Sequence, residues 1–245
     1  MEAHLPDVAA HWEREATDWI AWARTPGHDT YWYYNSAFFD EIVPAPGRAT
    51  LEVGCGEGRV VRDLVARSHR TTGIDASPTL LRAAREADTE SRYALADGAS
   101  LPFDDGTFDL VVAYNSLMDI DDMAGAVGEA ARVLAPGDRF CVSVTHPIMD
   151  AGTFAGDEAD SPFVLTEPYF ERRGFTGTAE QDGLSFTFSG WAIPLDEYAR
   201  ALEAAGFLIE ALREPRPPAE HVEREESLRR WARVPMFLWL RALRA

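Results

Sequence analysis

No lysine occurs among the 245 residues, so the 23 basic side chains are all arginine, a pattern that a GC-rich coding sequence leaves and that carries no functional reading. Positive charge is scarce as well: 41 acidic residues bring the net charge to −18, and on average such a field repels a polyanion such as DNA or RNA. The arginines of the segment 213–233 (Arg213, Arg216, Arg224, Arg229, Arg230, Arg233) alternate with glutamates and read as a solvated face, not a nucleic-acid groove. Cysteine is limited to Cys55 and Cys141, each inside an apolar stretch, where small core residues are more apt than a disulfide. None is needed, since a chain of this length buries roughly 70–75% of its unfolded surface. A long apolar run is missing too. PMFLWL (235–240) is far too short to span a bilayer. The opening MEAHLPDVAAHWERE is acidic and has no apolar secretory core, so the expectation is a cytoplasmic protein with no membrane partner. Neither a repeat nor a zinc-type His/Cys spacing stands out.

What is present is a strand–helix rhythm that predicts a parallel sheet with crossover helices. ATLEV (49–53) is the first strand, followed by a helix with Val60, Val61, Leu64 and Val65 on one face. TTGID (71–75) is the second, and Ser77-Pro78 then supplies a helix cap with proline at the first helical position. SRYALA (91–96) and the almost wholly apolar FDLVVAY (108–114) are the third and fourth strands. Met123 to Leu134 form an amphipathic helix stopped by Pro136-Gly137, and RFCVSVT (139–145) is the fifth strand. From 146 to about 191 the rhythm breaks into a glycine-, proline- and aromatic-rich stretch, too aromatic for disorder, which reads as a cap over the sheet edge. A helix over 195–202 and two hairpin-like strands at 207–213 and 235–242 close the chain. Residues 1–45, rich in Trp and Tyr, read as a helical lid and 46–245 as the main domain.

The most informative stretch is LEVGCGEGR (51–59). Glycines at a strand–helix turn let a ligand approach the backbone. The dinucleotide pattern G-x-G-x-x-G is not met: Arg59 replaces the third glycine, which serves close helix packing, and Glu52 sets an acid beside the turn. No G-K-[ST] follows, which excludes a P-loop. Asp75 ends the second strand about 20 residues on, where an acid grips ribose hydroxyls. The turn therefore suits a cationic nucleoside better than a pyrophosphate.

LEVGCGEGR, GIDAS, ADGASLPFDDGTFDLVVAYNSL and ARVLAPGDRF, in that order over residues 48–145, closely resemble the class I S-adenosylmethionine-dependent methyltransferases. The resemblance implies an α/β, Rossmann-like, seven-stranded, mostly parallel sheet with helices on both faces, an N-terminal lid and a cap after the fifth strand. It implies that Glu52, Gly54 and Gly56 hold the methionine part of S-adenosylmethionine, and that Asp75 holds the ribose, with Ala76 and Ser77 beside the adenine. It further implies that Asp97 accepts from the adenine amino group near Gly98 and Ala99, and that Tyr114 and Asn115 line the cofactor and face the acceptor. For Asp97 a plain turn residue is the minor alternative, whereas Asp104-Asp105-Gly106 reads simply as a β-turn. Asp119, Asp121 and Asp122 suggest a metal at first sight, but Asp121 or Asp122 is more simply a helix N-cap.

Where an acceptor must lose a proton, a base helps. His146, at the end of the fifth strand, is the candidate, with the bland alternative that it only packs or caps before Pro147. Tyr33 and Tyr34 on the lid are candidates for orienting the acceptor, though most of that aromatic cluster reads as ordinary packing. The cap's aromatics suggest a small aromatic or apolar metabolite, of the kind found in specialised metabolism. AYNSL after the fourth strand lacks the asparagine-proline-proline-aromatic motif of nucleic-acid and protein amide methylation. A macromolecule (RNA or protein) methyltransferase working with a partner subunit, or a non-catalytic cofactor-binding protein, are the alternative readings.

Overall fold

The computed structural model describes residues 7–224 and 226–245. The first six residues of the expected lid, Glu225 and the side chains of Arg224, Glu226 and Ser227 lie outside the described residues. Two helices open the chain, α1 (Val8–Ala23) and α2 (Tyr31–Glu41). The first is capped by Asp7, whose side chain accepts from the Ala10 amide at 2.9 Å. Alternation then follows: β1 (Thr50–Val53), α3 (Arg59–Ala66), β2 (Thr71–Asp75), α4 (Pro78–Ala87), β3 (Arg92–Leu95), β4 (Phe108–Tyr114), α5 (Met123–Val133) and β5 (Leu134–Thr145). Two antiparallel ribbons come next, β6 (Gly152–Phe154) with β7 (Phe163–Leu165) and β8 (Arg173–Gln181) with β9 (Leu184–Ala192). The chain ends with α6 (Leu195–Ala204), β10 (Phe207–Arg213), α7 (Ala219–Arg224) and β11 (Phe237–Arg244).

The main sheet has seven strands in the order β10-β11-β5-β4-β1-β2-β3. β1 to β5 pair in parallel, and β11 is inserted antiparallel between β5 and β10. The chain leaves β1 toward one side and β4 toward the other, so a crevice opens beyond the carboxyl ends of these two neighbours. The expected α/β sheet is the one observed. One boundary differs: β5 begins at Leu134, opposite Phe108, before Pro136-Gly137. Residues 135–138 bulge between the Phe108–Leu134 and Leu110–Arg139 pairs, so the proline and glycine sit in an irregularity of the strand and not in a separate loop.

Burial on both faces follows from the period of two along each strand. Val111, Ala113, Phe140 and Val142 pack with α5 and α6, while Leu110, Val112, Tyr114 and Cys141 pack with α2 and α3. Phe38 of α2 is fully buried and meets Tyr114 and Trp239 edge-on, with ring centroids 4.9 and 5.5 Å apart. The second N-terminal helix is thus part of the core. α1 is fixed differently, between α4 and the β8–β9 ribbon. Glu13 accepts from Ser77 Oγ, Thr79 Oγ1 and the Thr79 amide at 2.5, 2.7 and 3.2 Å, and Glu15 accepts from the Thr187 amide at 2.9 Å. The arginine-rich segment before β11 is not simply a solvated face. Arg230 pairs with Asp157 at 2.6 Å, and Arg233 donates to the Ala159 and Ser161 carbonyls, tying the loop between β6 and β7 to the body.

Phe38→Ala removes a buried ring between α2 and the sheet and is expected to cost about 3–5 kcal/mol. Equilibrium denaturation measures this, and a loss below about 1 kcal/mol would mean that α2 does not belong to the core.

Candidate active site

The turn after β1 is built by crowding. Gly54 has φ +74°, and a Cβ there would lie 2.5 Å from the Ser116 Cβ, because Ser116 is drawn in by its hydroxyl bond to the Val53 carbonyl at 2.6 Å. Only glycine fits. Gly58, at φ +86°, approaches Tyr93 and Ala84 closely enough that a Cβ would meet them at 2.9 and 3.0 Å. The close packing expected to be lost with the third glycine is therefore supplied one position earlier, which frees the Arg59 side chain for another use.

Asp75 holds the turn from the next strand. Its Oδ2 accepts from the Gly56 amide and its Oδ1 from the Ser77 amide, both at 2.8 Å. Burial raises its pKa, and the two amide hydrogen bonds act against that rise. Each oxygen keeps a further lone pair, which is what two vicinal ribose hydroxyls require. Glu52 is 1% exposed and its Oε2 has no hydrogen-bond partner. Burial, then the nearby Asp75 charge, raise its pKa well above the ordinary carboxylate range. A buried, unpartnered carboxyl is costly unless a cationic ligand completes it.

These groups open into one cavity of about 900 Å³. Its cofactor end is walled by Glu52, Gly54, Gly56, Asp75, Ala76 and Ser77, together with Asp97, Gly98, Tyr114 and Asn115. Ala99 does not line it; its amide instead donates to Asp97 Oδ1 at 2.9 Å. Asn115 adopts φ +51°, and its Oδ1 accepts from Ser143 Oγ at 2.7 Å, which leaves its amide nitrogen as the available donor. The far end is walled by Met118, Met149, Phe175, Phe186, Phe188 and Met236. Asp122 is a helix cap, accepting from the Gly125 amide at 2.9 Å, and Asp121 accepts from the Trp191 indole at 2.8 Å. Among the described residues no three His, Cys, Asp or Glu side chains converge as metal ligands would.

The structure sets the three residues read as catalytic candidates away from this cavity. His146 is buried, with its Nδ1 accepting from the Ile148 amide at 3.2 Å and its Nε2 3.0 Å from Glu214. Burial lowers its pKa, with Glu214 opposing. Tyr33 donates to the Gly27 carbonyl at 3.3 Å and stacks on His221. Tyr34 is buried against Phe237 and Trp239. Instead, long-range folding brings in residues that sequence order does not relate. Arg59 pairs with Asp29 at 2.5 Å and lies over the Tyr31 ring at 4.2 Å. Trp12, Trp19 and Trp22 of α1 cluster on Phe186 of β9. His28, Asp119 and Asp150 also line the cavity. In the sequence the α1 tryptophans give only the signal of any packed helix, Asp119 stands out only within the acidic run 119–122, and Arg59 only as the residue in place of the third glycine.

Glycine cradle, buried acid at the end of β2 and unpartnered Glu52 are what a nucleoside carrying positive charge would need. The sequence pattern of the methyltransferase domain family (Methyltransf_11) matches residues 51–142. The demethylmenaquinone methyltransferase of Tropheryma whipplei (strain Twist) is 31% identical over 165 residues, 66% of this chain and 66% of its own length. Aklanonic acid methyltransferase DauC of Streptomyces sp. (strain C5) is 28% identical over 177 residues, 67% of this chain and 76% of its own length. The alignments span from 39% to 76% of the lengths of the curated relatives they match. An S-adenosylmethionine-dependent methyltransferase from Mesorhizobium loti superposes with a TM-score of 0.71 at 24% identity, over 88% of this chain and 98% of its own, and so shares the fold. Residues 51–142 thus carry a methyltransferase domain, on the fold shared with S-adenosylmethionine-dependent methyltransferases. Its residues fit that family's cofactor, with Asp75 available to the ribose and the Glu52 carboxyl to the cationic methionine part.

Because the folded-state pKa of Glu52 lies above its ordinary 4.5, the stability it confers is complete below about pH 4.5 and is lost as pH rises through the folded value. Glu52→Gln is therefore expected to make the cofactor-free protein more stable near pH 7.5, with a gain that shrinks toward pH 4.5, and to weaken S-adenosylhomocysteine binding at least tenfold. Denaturation at both pH values with calorimetric titration measures this. A less stable variant with unchanged affinity would give Glu52 a structural role only.

Proposed function

We propose that the protein transfers the sulfonium methyl of S-adenosylmethionine to a small-molecule acceptor held in the aromatic end of the cavity. The observation that carries this reading is the continuity of that cavity: the same space that begins at Glu52 and Asp75 ends among Phe175, Phe186 and Phe188. When bound, S-adenosylmethionine supplies an electrophilic methyl carried on a positive sulfur. This chain's own tasks are alignment and exclusion of water. Asp75 and the glycine turn position the nucleoside, Glu52 supports the cationic portion, and the Asn115 amide faces the junction between the two ends. The indoles of α1 and the rings of β9 close the apolar end.

Two relatives bear names that give small molecules as acceptors, demethylmenaquinone and aklanonic acid, which supports the same class here. A partnered RNA or protein methyltransferase is less well supported. Among the described residues the cavity wall offers one arginine, Arg59, already neutralised by Asp29. No described helix is long and apolar enough to cross a membrane.

Calorimetric titration of S-adenosylhomocysteine into the wild type and Asp75→Ala tests the cofactor half of this reading, with NADH as control. Binding by the wild type and a loss of more than about tenfold, or ~1.4 kcal/mol, in the variant is expected. Absence of binding by the wild type, or binding of NADH in its place, would overturn it.

A further inference from the structure

At the acceptor end of the cavity two carboxyl groups face inward without partners. Asp119 ends a short turn after β4 and Asp150 lies in the turn after β5, so the ends of these two adjacent strands each deliver one acid to the cavity. Among the described residues neither carboxyl makes a hydrogen bond or an ion pair. The Asp150 backbone carbonyl accepts from Arg173, but its side chain does not. β9 closes directly over Asp119: a Cβ on Gly190 would lie 2.7 Å from Asp119 Oδ1, so the ribbon has a glycine where the carboxyl needs room. His28 lines the same cavity; its side chain is 5% exposed and neither ring nitrogen makes a hydrogen bond, its Nε2 lying 3.8 Å from the exposed Asp182 carboxylate. Thr145 Oγ1, also on the wall, is buried and unpartnered as well.

We propose that Asp119 and Asp150 form the recognition site for an amine, so that the acceptor is a primary or secondary amine carried on an aromatic or apolar skeleton and is methylated at nitrogen. The proposal rests on the methyltransferase reading above and narrows it. Two unpaired carboxyls within electrostatic reach of each other in a poorly solvated pocket repel, and either a proton or a cation relieves them. Arg59 is the one arginine on the wall among the described residues, and Asp29 already neutralises it. A carboxylate acceptor would bring a further negative charge among Asp119, Asp150 and Asp75. A neutral alcohol would gain hydrogen bonds and no ion pairing. An ammonium group gains both, while Phe175, Phe186, Phe188 and Met149 take up the skeleton.

The same pair handles the proton that an ammonium must lose before its nitrogen can accept a methyl group. R–NH3+ passes a proton to the Asp150 carboxylate, leaving R–NH2 with its lone pair and Asp150 as the neutral acid. The groups facing this exchange are Asp119, Arg173 of β8 and Tyr198 of α6. Burial pushes the Asp150 pKa up to about 7, with Arg173 opposing, which suits a group that must take up and release a proton near neutrality. Burial raises the Asp119 pKa well above the ordinary carboxylate range, with Asp150 and then Asp75 adding to the rise.

The test uses the full chain saturated with S-adenosylhomocysteine, titrated calorimetrically with tryptamine and tyramine, with the alcohols tryptophol and tyrosol, and with the acids indole-3-propionate and 4-hydroxyphenylpropionate. At least one amine is expected to bind ten times more tightly than its alcohol, and the acids more weakly still. Asp119→Asn and Asp150→Asn should each weaken the amine at least tenfold while S-adenosylhomocysteine binds as in the wild type, which also shows that the variants fold. Amine affinity of the wild type should fall as pH drops below about 7, where Asp150 takes up a proton. The proposal is overturned if neither amine binds the loaded protein, if an alcohol or acid binds as well as its amine, or if both variants keep wild-type amine affinity. Failure of the wild type to bind S-adenosylhomocysteine would instead strike the methyltransferase reading itself.

Discussion

The two hydrogen bonds from the Gly56 and Ser77 amides to Asp75 are the constraint on which the site depends. They join the turns after β1 and β2, so that the first two crossovers are fixed relative to each other where the ligand must sit. The oxygens that make them are also the ones offered to a ribose. The neighbouring Glu13 extends the same junction to α1 by its bonds to Ser77 and Thr79. One aspartate thus links sheet, cofactor site and covering helix, and a change there is felt in all three.

Around that junction the protein accumulates negative charge in places where folding alone gains nothing from it. Glu52, Asp119 and Asp150 are carboxyls withdrawn from solvent, with raised pKa values and no cation paired to their side chains. Carboxyls placed to serve the fold look different here. Glu57 is clamped by Arg24 and Arg62, each at 2.8 Å, and Glu129 by Arg132 at 2.7 Å. The contrast separates acids that stabilise the chain from acids that wait for a ligand, at a cost in stability that the ligand offsets.

Much of the fold was legible in the sequence because its signals are local. Apolar runs such as FDLVVAY belong to a strand covered on both faces, and Ser77-Pro78 caps and starts α4. The family motifs likewise lie within a few residues of one another, so Glu52, Gly54, Asp75 and Asp97 could be named in advance, and they share one cavity wall. The acceptor end was not legible. His146 follows a strand that ends at the crevice, yet the chain turns at Pro147 and the imidazole is taken up by Glu214 and the Ile148 amide. Asp119 stands out only within the acidic run 119–122, where it suggests a metal, and Asp150, 31 residues away, carries no local pattern at all.

By itself, then, the sequence determined the sheet, its crossovers and the cofactor turn, because hydrophobic period, capping and glycine placement act over neighbouring residues. Only the tertiary structure decided which side chains meet at the acceptor. The α1 indoles reach Phe186, Gly190 makes room for Asp119, and Arg59 is neutralised by Asp29, all through contacts between segments far apart in the chain. Such contacts depend on how helices and ribbons are laid over the sheet, a choice that burial of the whole core makes and no single segment records.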